Sequence, residues 1–384
     1  MKRLTSASVL AIVGLLLASI AASAQSPLTS NAQRALQWLQ CTQQQPNGQI
    51  GSGGNPIARS AEVAFSLAAA GQDASAMKTG TVSLADYLKT AVSTDVGTNG
   101  ELLLARASQP NSGPTTTVIA QLQAAKGSNG EYGADLFSDA LAILGLRAAG
   151  QMVGDDVVAF LEGKQNPTDH GWSFDNAGQF GSDSNTTALV LQALIAAGVK
   201  TNDVHVSNGF QFMASQFVGG GFTSQADPAK PASDPSNTPD ANSDELGIES
   251  ILGAALQTDQ NWAPRLQAAE NDLAGRQIGS GADAGALAGF SKLFATTFAP
   301  AAFLLRPLTV SGLAGTKVTL LACPTAATTS PTPQPTPTAS PAVTTPRLAQ
   351  TGAAADLRPT LAGLALLLLG TGILMRPRRR ARRS

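Results

Sequence analysis

The chain has 384 residues, and between residues 25 and 346 it carries 15 Lys and Arg against 25 Asp and Glu. This acidic balance argues against a nucleic-acid partner, whose phosphates would repel the protein. Hydrophobic residues make up 43% of the chain and aromatic residues only 5%, which favours alanine-rich, closely packed helices over a β-sandwich.

Residues 1–24 have the pattern of a signal peptide. A basic start, Met1-Lys2-Arg3, precedes an apolar stretch at residues 9–17. The small residues Ala22-Ser23-Ala24 then form a cleavage motif before Gln25. We therefore expect the chain to be exported.

A helical repeat follows. Residues 61–71, 140–150 and 188–198 are nearly all apolar, and each segment ends in glycine, with a weaker copy at 246–256. More amphipathic segments precede them, for example 31–39, 155–161 and 204–217, and glycine-rich turns lie between. The pairs fall at 30–71, 80–109, 114–150, 154–198, 204–258 and 262–297.

Six helix pairs of about 45 residues indicate a repeat array. An open solenoid leaves one face of its inner helices wet, so inner segments that are apolar on all sides favour closure. The predicted fold class is all-α, an (α/α)6 toroid over residues 25–323. In an oxidising compartment Cys41 and Cys323 are candidates for a disulfide.

Two strings resemble the Gln-to-Gly-x-Trp repeat of squalene and oxidosqualene cyclases: residues 165–172, ending Gly171-Trp172, and residues 216–222. Residues 183–198 are similar to bacterial surface proteins with prenyltransferase/squalene-oxidase repeats. The resemblance implies the terpenoid-cyclase α/α toroid. That fold is also similar to the barrel of cobalamin carriers, so a cobalamin-type ligand stays open. Fold alone does not fix activity.

The chemistry of the toroid enzymes is missing from the sequence. In place of an Asp-x-Asp-Asp acid there is only Gly154-Asp155-Asp156, at the start of a predicted helix. We find no Asp-rich Mg²⁺ motif, and Cys41 and Cys323 lie outside any plausible zinc set. Catalysis is therefore not the favoured reading, and no cofactor is expected.

Polar residues recur where the inner helices begin, and two interpretations stay open. As helix caps they satisfy free backbone N–H groups. As ligand-binding residues they would converge with aromatic side chains at one mouth of the barrel. The candidates are Tyr132, Asp135, Asp139, Trp172, Asp183, Asn185, Phe222, Asn242 and Asp244.

Two weaker candidates concern the fifth pair. Glu245 and Glu249 lie one helical turn apart and are weak catalytic candidates, as a carboxylate pair acting on polysaccharide. An Asp of the polar ring is the alternative acid. The proline-rich segment 223–240 is expected to form an exposed loop at the mouth, either a lid or an insertion. Its Asp227, Asp234 and Asp240 are weak candidates for Ca²⁺, and no metal site is otherwise expected.

The C-terminal part has a different composition. Residues 324–347 are rich in Thr and Pro and predict an extended stalk. Residues 348–384 contain Leu348-Ala349-Gln350-Thr351-Gly352, an apolar run at 361–375 and an arginine-rich tail. This order resembles a sorting signal of the LPxTG type, cleaved by sortase between Thr351 and Gly352. It implies sortase and cell-wall peptidoglycan as partners. A permanent single-pass membrane anchor is the alternative.

These observations predict a toroid displayed on the cell surface that binds a glycan or small molecule at its mouth without catalysis. The first alternative is an exported enzyme that acts on polysaccharide. A terpenoid cyclase or prenyltransferase is the less favoured alternative, because its substrates are made inside the cell.

Overall fold

Paired helices account for most of the chain. The computed structural model describes residues 27–324 apart from residue 232. Within them the α-helices are, in chain order, α1 Thr29–Trp38, α2 Pro56–Ala69, α3 Leu84–Thr90, α4 Val96–Ser108, α5 Thr116–Ala125, α6 Leu136–Ala148, α7 Asp155–Gly163, α8 Ser184–Ala197, α9 Val204–Ser215, α10 Ala241–Gly253, α11 Trp262–Gly275, α12 Phe294–Thr297 and α13 Ala299–Phe303.

The second helix of each pair belongs to an inner ring. Helix α2 packs on α4, α4 on α6, α6 on α8 and α8 on α10. The short helices α12 and α13 fill the sixth place, where α13 contacts both α10 and α2. The ring of inner helices therefore closes, and the predicted all-α toroid is confirmed. The first helices of the pairs, α1, α3, α5, α7, α9 and α11, lie outside it.

The inner helices are apolar all round because each has neighbours on every side. In α8, every residue from Thr186 to Leu194 is buried. Three of the apolar segments end as the sequence predicts, with Gly71, Gly150 and Gly198 at positive φ of 64°, 74° and 103°.

The sixth inner position differs from the prediction. The sequence placed its end at residue 297, whereas the structure continues through α13 to Phe303. Pro300 lies in the first turn of α13 and cannot continue the hydrogen bonding of α12, so two short helices form in place of one.

The segment after α13 covers one end of the inner ring. Backbone N–H groups of Ala314 and Val318 donate to the carbonyls of Ala68 and Ala70 at the end of α2, both at 2.8 Å. Leu308 donates its N–H to the buried Oε1 of Gln192 near the end of α8, at 3.1 Å. These contacts occupy the end of the ring where the inner helices finish.

Neighbouring inner helices run parallel and approach closely at glycines. A Cβ on Gly97 would meet Ser138, and one on Gly100 would meet the backbone of Leu141 at 2.4 Å. A Cβ on Gly145 would lie 2.4 Å from the carbonyl oxygen of Gly100. The contact between α4 and α6 thus depends on the absence of side chains there.

Short strands supplement the helices. Trp172–Ser173 (β1) pairs with Ser182–Asp183 (β2), and Phe217–Val218 (β3) pairs with Gly221–Phe222 (β4), both antiparallel. These hairpins lie in the glycine-rich turns that connect outer to inner helices.

Several predicted features fall outside the described residues: the signal peptide at 1–24, the stalk beyond residue 324, the sorting pentapeptide and the apolar run 361–375. Among the residues that the structure describes, no helix combines the length and apolar character needed to cross a bilayer.

We expect Gly145→Ala to destabilise the fold by about 1–3 kcal/mol, because its methyl group overpacks the contact between α4 and α6. Gly163→Ala is the matched control, since no atom lies within 4 Å of a Cβ built there. It should be neutral or slightly stabilising. Chemical denaturation of both variants is the measurement, and equal midpoints would show that the close approach is not required.

Candidate functional site at the mouth and axis of the inner ring

The inner helices all begin at one end of the ring, which we call the mouth. Asp135, Asp183 and Asp240 each cap an inner helix there, accepting the backbone N–H of Ser138, Thr186 and Ser243 at 2.7, 2.8 and 3.0 Å. Asn55 and Asp95 cap α2 and α4 in the same way. Of the two interpretations of these aspartates, the structure supports helix capping.

A second set of polar residues holds the glycine-rich turns. Asp139 Oδ1 accepts the backbone N–H of Tyr132 at 2.6 Å. In the same way Thr187 Oγ1 accepts the N–H of Trp172 at 2.9 Å. Asp244 Oδ1 accepts the N–H of Phe222 at 2.7 Å. The hydroxyl oxygens of Ser60 and Thr296 accept the backbone N–H groups of Ile50 and Leu287 in the same manner. This repeated contact, the turn clamp, fixes each turn to the first turns of the following inner helix.

The clamped aromatic residues face the core. Trp172 and Phe222 are fully buried and Tyr132 is 7% exposed, and the indole N–H of Trp172 donates to the carbonyl of Leu161. The expectation that these three side chains line an open mouth does not fit this burial. Their rings fill the space between inner and outer helices, and Asp139 and Asp244 serve the turn backbone.

Two asparagines remain near the axis. Asn185 and Asn242 occupy the second position of α8 and α10, and both are half-buried. Asn242 donates to the carbonyl of Phe294 at 3.4 Å, whereas the Oδ1 of Asn185 is shielded and has no hydrogen-bond partner. Asn242 is therefore the predicted ligand-binding residue that the structure places at a cavity.

That cavity, the axial chamber, lies inside the inner ring. Its rim consists of the half-buried Phe137, Asn242 and Phe294. Its buried wall consists of three carboxyl and four apolar side chains: Glu62, Glu101, Glu245, Leu141, Leu189, Leu246 and Phe298. It leaves about 20 Å³ for the centres of water molecules, which is room for one or two waters.

Burial governs the electrostatics of the chamber. It raises the pKa of Glu101 well above its usual range, and the adjacent Glu62 raises it further. Burial raises the pKa of Glu62 as well, although Arg59 counteracts this through an ion pair of 2.7 Å. These carboxyls come from α2 and α4, so sequence-distant residues meet on the axis.

Glu245 and Glu249 belong to the same group. Both are buried, and burial raises the pKa of each well above the usual range, with the Glu249 charge acting on Glu245 and the Glu62 charge on both. Glu245 Oε1 and both oxygens of Glu249 lack a hydrogen-bond partner. The chamber that Glu245 lines is too small for a sugar ring, and Glu249 is buried beside it, so their position does not favour the glycosidase interpretation.

A second cavity lies at the periphery on the mouth side, between the end of α9 and the proline-rich loop 223–240. It leaves about 270 Å³ for water centres, and Gln216, Lys230 and Asn237 supply its polar wall. The buried Asn237 side chain organises the loop by donating to the carbonyls of Asp227, Lys230 and Pro231. The loop is thus internally bonded.

The weak Ca²⁺ prediction concerned this loop. Lys230 lies 3.6 Å from both Asp227 and Asp234, and Asp240 caps α10. Within residues 27–324, apart from residue 232, no group of three or more His, Cys, Asp or Glu is placed to hold a metal ion. The lysine therefore occupies the place between the two aspartates.

Two large aromatic side chains are exposed on the connections that lead to inner helices. Phe180 precedes α8 and is 56% exposed, and Phe290 precedes α12 and is 79% exposed. Both connections lead into the starts of inner helices, so both phenylalanines lie on the mouth side of the ring.

The cysteines are not free thiols in the described part of the chain. That Cys41 and Cys323 pair with each other stays a prediction.

Glu62 and Glu101 were not identified from the sequence. A signal was present, because each is a lone carboxylate within an apolar inner segment. Glu101 also occupies the position, six residues beyond the cap, that Leu141, Leu189 and Leu246 occupy in the other inner helices.

No family model matches the chain, and no curated protein matches it. Solved structures do. Three structures of the type II terpene cyclase MstE from Scytonema match with TM-scores of 0.52, 0.51 and 0.50 at 12, 13 and 12% identity. The matches cover 72–73% of this chain and 96–98% of theirs. Two of those structures contain geranylgeranyl dihydroxybenzoate as substrate. The domain has the terpenoid-cyclase-like fold.

Replacing the axial glutamates by glutamine should stabilise the protein at neutral pH. Folding raises the pKa of these carboxyls above their unfolded value, which is near 4.5. Their contribution to stability is complete below pH 4.5. It is lost as the pH rises toward the folded pKa, because the unfolded chain then releases protons that the native state retains. Glu245→Gln and Glu249→Gln should match the wild type near pH 4.5. Above pH 4.5 the free energies of unfolding of these variants should exceed that of the wild type, by up to about 1.4 kcal/mol per pH unit.

Thermal unfolding from pH 4.5 to 7.5 measures this difference. Parallel pH profiles for the wild type and the glutamine variants would show that the carboxyls are not perturbed by burial.

Proposed function

We propose that this protein is a cell-surface-displayed, terpenoid-cyclase-like toroid that binds a ligand on its mouth side and carries out no chemistry on it. The observation that carries the proposal is the nearly filled axial chamber. Ligand sites usually offer about 300–1,000 Å³. The chamber leaves about 20 Å³, and the acids in its wall are buried, so a ligand of ordinary size cannot be accommodated there.

The mouth side has accessible surface and a larger cavity, whereas the axial chamber is small. The opposite end of the inner ring is occupied by residues 304–322 through their contacts with α2 and α8. The mouth has the exposed Phe180 and Phe290 and the peripheral cavity of about 270 Å³. A glycan or small molecule would therefore meet exposed aromatic faces and, at the cavity, the partly exposed side chain of Lys230.

A terpenoid cyclase is the second candidate, and one observation favours it. Protonated carboxyls in an apolar chamber are the groups that a proton-initiated cyclisation uses, and burial raises the pKa of Glu101 and Glu245. The small chamber volume opposes it, because an isoprenoid chain does not fit unless the inner ring opens.

Surface display is the other half of the proposal. It is supported by the signal-peptide pattern of residues 1–24, by the Thr- and Pro-rich stalk and by the LPxTG-like pentapeptide with its apolar run and arginines. Peptidoglycan would then be the covalent partner through Thr351, with the membrane as a transient partner before cleavage.

Binding is tested by titrating the purified full-length chain, in detergent, against a panel of glycans and cobalamin, with isoprenoid diphosphates as a further arm. We expect a ligand to bind unchanged and to protect residues 174–181, 223–240 and 276–293 from hydrogen exchange. Phe290→Ser should weaken binding, and the distant exposed Met152→Ser should not. Turnover of a glycan or isoprenoid, or protection confined to residues 304–322, would overturn the proposal.

Sorting predicts a separate outcome in cells. Thr351→Ala should move the protein from the detergent-insoluble wall fraction to the membrane fraction, because the bond between Thr351 and Gly352 is no longer cleaved. Fractionation with immunoblotting measures this. If wild type and variant both fractionate with the membrane, the segment is a permanent anchor.

A further inference from the structure

Two glutamates of α10, one in the wall of the axial chamber and one a helical turn further on, have unsatisfied acceptors. Glu245 is 1% exposed and Glu249 is fully buried, and three of their four oxygens have no hydrogen-bond partner. Glu245 lines the chamber beside Glu62 and Glu101, so a carboxyl group with one unpartnered oxygen belongs to the wall of a cavity. Unpartnered buried polar groups call for an explanation, and for one in the wall of a cavity a bound ligand supplies it.

The charge expected of a partner for Glu245 follows from the charges around this carboxyl. Arg59 forms an ion pair of 2.7 Å with Glu62 and places its guanidinium 4.4 Å from the centre of the Phe294 ring. The site thus already holds one cation between a carboxylate and an aromatic face. Glu101 interacts with Glu62 and with the Arg59 charge. Among the described residues that line the chamber none is Lys or Arg, and the charges that act on Glu245 are all acidic, so Glu245 has no cationic partner there.

We infer that the axial chamber receives the ammonium end of an unbranched primary amine. This inference rests on the proposed function, because the amine must enter through the mouth. It passes between Phe137 and Phe294 at the rim and donates hydrogen bonds to Glu245. The alkyl chain then lies between the rim residues, and the rest of the ligand stays on the mouth side.

The chamber size defines the class of ligand. Room for one or two water-sized groups accepts an ammonium group, which is close to a water molecule in size, and excludes a trimethylammonium group. A bare metal ion is disfavoured, because no three acidic, Cys or His groups in the described part of the chain are placed around one point. Two sources supply this chemistry: a free diamine and a lysine side chain.

The experiment is isothermal titration of the full-length chain in detergent at pH 7.5, with n-pentylamine and pentyltrimethylammonium as a matched pair. We expect saturable binding of n-pentylamine and binding of the trimethyl compound weaker by about tenfold or more, equivalent to about 1.4 kcal/mol. Cadaverine and Nα-acetyl-lysine amide, titrated next, distinguish the free amine from the lysine side chain.

Two variants locate the site. Glu245→Gln should weaken n-pentylamine binding by about tenfold or more. Glu270→Gln is the control, because Glu270 is equally buried, with one unpartnered oxygen, but lies on the outer helix α11. It should leave the affinity unchanged. Thermal unfolding verifies that both variants are folded.

Three results would overturn the inference: no saturable binding of n-pentylamine, equal binding of both compounds, or equal affinity of Glu245→Gln and wild type. They are separable from failure of the proposed function. If a panel ligand binds and depends on Phe290 but not on Glu245, only the amine site is lost. If no ligand binds at all, both fall.

Discussion

Closure of the inner ring is the constraint on which the rest of the structure depends. Helix α13 must contact both α2 and α10, so that the last inner position meets the first. Once closed, every inner helix is enclosed by two neighbours and by outer helices, which is why its sequence is apolar on all sides. Closure also gathers all inner N-termini at one end and thereby creates a mouth and an axis.

The turn clamp links this ring to the outer helices. A polar side chain near the start of each clamped inner helix accepts one backbone N–H from the preceding glycine-rich turn, as Asp139, Thr187 and Asp244 do. An unbonded N–H in the core costs about 1–3 kcal/mol, so the clamp is a structural requirement of the repeat. Residues that resemble a binding site by type therefore belong to the framework.

The residues that line the axial chamber do not serve the framework in this way. Inner-helix positions facing it are filled by leucines in some repeats and by Glu62, Glu101 and Glu245 in others. These carboxyls are buried and have raised pKa values. Burying an acid costs free energy, and the amine that we propose would offset this cost for Glu245. Fold similarity to a type II terpene cyclase says nothing about that ligand, since the fold hosts many functions.

The sequence by itself determined the helical repeat, the number of pairs and their closure, because those follow from local periodicity, glycine-terminated apolar segments and burial on all sides. It also determined the capping role available to Asp135, Asp183 and Asp240, because capping is local. Only the tertiary structure decided that Trp172 and Phe222 face the core, that α13 completes the ring and that Glu62, Glu101 and Glu245 meet on one axis. Which side of a buried helix faces the axis depends on its neighbours, and an apolar segment of one helix does not encode that direction.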